Sequence, residues 1–89
     1  MEKIYTFTIS EKEVKVRATL KAGGVVDFEA AYGGEVQGGR LAPAGVKPGA
    51  TEDDVKLAME QYAERLAGLV VGTSNIRDHL ETIFGEQGS

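Results

Sequence analysis

The chain contains no cysteine and only one histidine, His79. Without cysteine there is no disulfide framework, no thiolate metal centre and no cysteine nucleophile. A single imidazole leaves a transition-metal site short of its preferred donors. Long apolar runs are missing too. The opening residues, MEKIYTFTISEKE, are broken by charge at short intervals. Neither a signal peptide nor a membrane span is expected from them, and the cytoplasm is the expected location. Basic side chains are outnumbered, ten lysines and arginines against fourteen aspartates and glutamates, for a formal net charge of −4. The imbalance is local: residues 1–32 are neutral, residues 33–50 carry +1 and residues 51–89 carry −5. A nucleic-acid footprint needs clustered lysine and arginine to displace counterions, which an acidic C-terminal half does not supply.

What is present describes a small acidic globular protein. A hydrophobic content of 42% is too high for a disordered chain, and 89 residues suit one domain. That domain is expected over residues 1–85, with 86–89 as a frayed tail.

Residues 4–9, IYTFTI, are β-branched or aromatic throughout and read as a strand. Residues 14–21, VKVRATLK, alternate between Val14, Val16, Ala18 and Leu20 on one face and Lys15, Arg17, Thr19 and Lys21 on the other. A turn at Glu11-Lys12 would set Ile9 against Val14, Phe7 against Val16 and Tyr5 against Ala18. Residues 25–32 alternate again, with Val26, Phe28, Ala30 and Tyr32 inward. An Ala22-Gly23-Gly24 loop would pair Thr19 with Asp27 and Arg17 with Glu29, placing opposite charges across the exposed face.

Residues 33–50 hold six of the twelve glycines and both prolines. They read as a long glycine-rich loop, an unusual length for a compact domain unless it is functional. A short hairpin turning at Gly38-Gly39 is the only regular structure they suggest. Thr51 is the expected N-cap of a helix over 52–71, with Glu52, Asp53 and Asp54 at the positive end of its dipole. Val55, Met59, Tyr62, Leu66 and Leu69 form one apolar stripe, and Gly72 is the expected stop. Thr73-Ser74-Asn75 offers caps for a second helix over 76–84, with Ile76, Leu80, Ile83 and Phe84 on one side and Gly85 as its end. The expected architecture is therefore α+β, a three-stranded antiparallel meander packed on one long and one short C-terminal helix. Leu20, Val55, Leu69, Ile76, Leu80 and Ile83 are expected to join the core.

The residues carry little chemistry. Asp78 and His79 are adjacent on a helix and point about 100° apart, so the carboxylate does not orient the imidazole toward Ser74 as a catalytic triad requires. The Glu52-Asp53-Asp54 run lacks the alternating ligands and central glycine of a calcium loop. The glycine-rich stretch follows a strand but matches no phosphate-binding pattern, and the carboxylates after it would repel an anion. No enzyme activity, metal or cofactor is expected. The two helices have the outline of a helix-turn-helix, but IRDHLETIF offers Arg77 and His79 against Asp78 and Glu81, a poor reader of DNA.

The leading expectation is a small protein-binding module, such as an adaptor, an inhibitor or an assembly subunit. Its contacts would be Arg40, Leu41 and Lys47 of the glycine-rich segment and Asp53, Glu60 and Glu64 of the acidic helix face. Leu57 falls opposite the apolar stripe, next to Gly68 and near Val71; the second helix or the glycine-rich segment is expected to cover that side, and contact with a partner or a second copy is the alternative. Self-assembly into a homodimer, through these residues or an open edge at 4–9, is the first alternative. Weak nucleic-acid binding through Lys15, Arg17 and Lys21 is the second, although no exposed aromatic interleaves them.

Overall fold

The computed structural model describes residues 1–87. Four strands, β1 (Glu2–Ile9), β2 (Lys12–Leu20), β3 (Val26–Tyr32) and β4 (Glu35–Leu41), are followed by one helix, α1 (Glu52–Gln87). The strands form an antiparallel meander in the order β1-β2-β3-β4, and α1 crosses one face. Val14, Val16, Ala18, Phe28 and Ala30 meet Ala63, Leu66, Ala67, Val70 and Val71 in the core. Four of these ten are alanines, small enough to let helix and sheet approach closely. No helix among the described residues is long and apolar enough to cross a membrane.

The alternation of β2 and β3 places side chains as their sequence pattern requires, and Thr19 pairs with Asp27 and Arg17 with Glu29 as expected. In the first hairpin the turn falls one residue earlier, at Ser10-Glu11, both with positive φ (51° and 67°). Tyr5 therefore faces Val16, Phe7 faces Val14 and Ile9 faces Lys12. The ladder has slid by two residues, and an even shift keeps every side chain on its own face.

Residues 33–50 are not one long loop. Their first half is β4, which pairs Tyr32 with Glu35, Phe28 with Gly39 and Val26 with Leu41. The turn is Gly33-Gly34, whose φ values of 59° and 83° suit the mirror-image turns that match strand twist. Gly38 and Gly39 lie inside the strand instead. At Gly39 the reason is close approach: a Cβ there would collide with the hydroxyl and ring of Tyr62. That ring leans on Phe28 at 4.9 Å between centroids and 50° between planes.

The two expected helices are one. Thr51 does cap it: its Oγ1 accepts from the Asp54 N–H at 3.2 Å, and Asp54 Oδ2 accepts from the Thr51 N–H at 3.0 Å. Gly72, however, does not stop it, and neither does Gly85. One interior glycine costs about 1 kcal/mol, which the burial of Val70, Val71 and Ser74 on either side of Gly72 offsets. Ser74 is a buried packing residue against Gly33 rather than a cap. The expected tail at 86–89 begins inside α1, and residues 88 and 89 lie outside the described residues.

No short helix folds back over the sheet, so its expected core residues Ile76, Leu80 and Ile83 are on the surface, and three expected core residues outside it are exposed too. Leu20, Val55, Leu69, Ile76, Leu80 and Ile83 are all exposed. A helix of 36 residues is about 54 Å long, whereas a nine-residue strand spans about 30 Å. The molecule measures 59 × 25 × 22 Å, and α1 overhangs the sheet at its C-terminal end.

Candidate functional site

The structure separates the residues singled out by the sequence into three places. Arg40 lies on the outer face of the sheet, where its Nε donates to Asp27 Oδ1 at 2.8 Å. Its backbone N–H donates to the Tyr62 hydroxyl at 3.0 Å, which closes one donor on the β4 edge. Leu41 is half-buried against the core, and Lys47 Nζ stands 3.7 Å from Asp54 Oδ2. These three side chains are engaged within the chain. Around them, Ala42, Pro43 and residues 46–50 wall a cavity of about 550 Å³ lined by Val26, Leu41, Val46, Pro48, Val55 and Met59.

Asp53, Leu57, Glu60 and Glu64 follow one another at intervals of 4, 3 and 4, so they share one side of α1. That side faces β1. Burial raises the Tyr5 phenol above its ordinary pKa, and the Glu60 carboxylate raises it further. On the same flank, Lys12 Nζ donates to Asn75 Oδ1 at 2.9 Å. Lys15 and Arg17 occupy the outer sheet face, with Glu29 paired across from Arg17, while Lys21 lies just past the end of β2. Five of the six aromatic side chains, all but Phe84, belong to the core or its rim. The basic face therefore has no ring on which a base could stack. Of the two apolar residues expected on the side opposite the stripe, Val71 is buried in the core within the chain and Leu57 is exposed.

The largest departure from the sequence reading is at the far end of α1. The helix holds the sheet rim through Gln37 Nε2, which donates to Thr73 Oγ1 at 3.4 Å, and through Arg77 Nε, 2.7 Å from Glu35 Oε1. Among the described residues, no hydrogen bond or ion pair joins helix to sheet beyond that point. There Ile76 is 60% exposed, Leu80 48%, Ile83 49% and Phe84 65%. Leu69, one heptad before Ile76, is half exposed as well.

Helical geometry explains why an apolar stripe leaves the core. The positions 55, 59, 62, 66, 69, 76, 80 and 83 keep one heptad phase across Gly72. A stripe with that 3.5-residue period drifts by about 20° per heptad on a straight helix. It rests against the sheet at Tyr62 and Leu66 and turns outward from Leu69. By Ile83 it points away from the direction of Ser74 by roughly 180°. The unbroken phase was visible in the sequence and is the signal of a single helix.

The result is an apolar seam of Leu69, Ile76, Leu80, Ile83 and Phe84 along the outer face and free end of α1, flanked by Arg77 and His79. Compared with known protein families, characterised proteins and solved structures, the chain matches none.

Proposed function

We propose that the protein is a small protein-binding module that docks through the seam on α1, with the sheet as the scaffold that holds the helix out. The observation that carries this reading is the exposure of Ile76, Leu80, Ile83 and Phe84 on a stretch of helix that the sheet does not cover. A helical row of large apolar side chains at these spacings is the form in which amphipathic helices present themselves to a partner groove or helix. The acidic flank of Asp53, Leu57, Glu60 and Glu64 lies on another side of the helix and is secondary. Arg40, Leu41 and Lys47 are secondary too, because their contacts are within the chain.

Photo-crosslinking inside the host cell tests this. A photoreactive residue at Ile83 or Ile76 should give protein adducts, while the same probe at Arg40 or Glu64 should give few. Adducts that form equally from Arg40 and Glu64, or none from Ile76 and Ile83, would remove the seam from consideration.

A further inference from the structure

Resting on the reading above, we propose that the partner of this seam is a second copy of the same chain, paired antiparallel so that the two projecting helices form a short two-stranded coil. Three observations select this occupant. The first is the period. Ile76, Leu80 and Ile83 step by 4 and 3, and Leu69 stands one heptad before Ile76, a 3.5-residue repeat that suits another helix supercoiling around α1; Thr73, between them, is held at the sheet rim by Gln37. Setting Leu80 on the partner's Ile76 also sets Ile76 on the partner's Leu80, so the seam complements itself under a two-fold axis.

The second is charge. The chain as a whole is at −4, yet over residues 65–83 the seam side of the helix carries only Arg65: Arg77 turns to the sheet rim and Glu35, and Asp78 and Glu81 fall within about 40° of the direction of Ser74, opposite the seam. An antiparallel pairing sends the two Arg65 side chains to opposite ends, so two copies meet across the seam without repulsion, and a single arginine gives little by which a strongly charged partner would be chosen. Elsewhere the helix is acidic. The antiparallel arrangement sends the Glu52-Asp53-Asp54 ends and the Glu60 and Glu64 flanks to opposite ends of the pair, whereas a parallel one would bring them together. It also opposes the two helix dipoles.

The third is the helix itself. Ile76, Thr82 and Ile83 are β-branched and Gly85 is the poorest helix former after proline, so the overhang has weak intrinsic propensity. A terminal stretch of this kind gains its stability from tertiary packing, which its own sheet does not provide. Geometry permits the pairing. The seam at Ile76 and Ile83 points away from the sheet, so both sheets lie outside the helix pair.

Sedimentation equilibrium of the full chain tests the proposal from about 1 μM to about 1 mM. The mass should rise from 9.5 kDa toward twice that value. Leu80→Asp should stay at the lower mass throughout, with an unchanged circular dichroism spectrum over the sheet region. Because the chain has no cysteine, single introduced cysteines report orientation: His79→Cys should cross-link across the axis and Leu69→Cys should not. A dimer that survives Leu80→Asp, a cross-link at Leu69→Cys in place of His79→Cys, or a mass that climbs past two copies would each overturn the proposal. A wild type that is monomeric at every concentration overturns it as well. In that case the docking reading still stands if Ile83 captures a different protein in the cell.

Discussion

Gly39 and Tyr62 form one structural unit, although 23 positions separate them in the sequence. The phenol occupies the space that a β-carbon at Gly39 would need, and its hydroxyl accepts the Arg40 N–H at 3.0 Å. Gly39→Ala should therefore destabilise the fold by about 1–3 kcal/mol in urea denaturation, the usual range for an overpacked site. Tyr62→Phe should cost less, about 1 kcal/mol, because the amide it releases is exposed and turns to water. The double variant should be less unstable than the sum of the two, since Tyr62→Phe removes part of what Gly39→Ala strikes. Simple additivity would show that the two residues are not coupled. Tyr5 supplies a second test at this scale. Burial first, and then Glu60, raise its pKa on folding, so the folded chain holds the phenolic proton more firmly than the unfolded one. The associated stability is complete below the ordinary tyrosine value of about 10 and is lost as pH climbs through the raised value. Tyrosinate absorbance should show Tyr5 as a late-titrating phenol, absent in Tyr5→Phe. Glu60→Gln should move it only part of the way back, because burial remains.

Among the elements, α1 is the one whose continuity decides the shape of the molecule. Gly72 sits inside it with open space where a side chain would go. In a continuous helix, Gly72→Ala should raise stability by about 0.5–1 kcal/mol. If the chain instead turned there in a left-handed conformation, the same change would destabilise it, so the sign of the shift in a thermal melt separates the two. The sequence showed β2 and β3 clearly because strict alternation over seven or eight residues has one reading, and it showed the Thr51 cap because Asp54 stands three residues on. It hid β4 because EVQGGRL has glycines where alternation would otherwise be seen, and the need for Gly39 comes from a ring far along the chain. It hid the union of the helices because Gly72, Thr73, Ser74 and Asn75 are all good local stop signals. Local preference there is overruled by packing of Val71 and Ser74 on the sheet. The seam was half legible: its residues were all noticed, but as a core face, since nothing local says that the sheet ends before the helix does.

At the scale of the whole molecule, length mismatch is the organising fact. A compact chain of this size has a radius of gyration of about 12 Å, and this one has 16.1 Å. The excess is the overhang, which carries apolar side chains and contributes little to the stability of its own protomer. That division leads to a measurement in which folding and association separate. If two copies pair through the seam, the dimer stabilises the folded state by mass action, and the unfolding midpoint of the wild type should rise with protein concentration. Leu80→Asp should show no such rise. The two proteins should converge at the lowest concentrations, because Leu80 lies outside the core of the single chain. Amide exchange should follow the same pattern, with residues 76–84 exchanging quickly in dilute solution and slowly in concentrated solution while the core of the sheet is protected in both. A midpoint that is flat with concentration, together with rapid exchange over 76–84 at every concentration, would mean that the overhang is built for a partner other than itself.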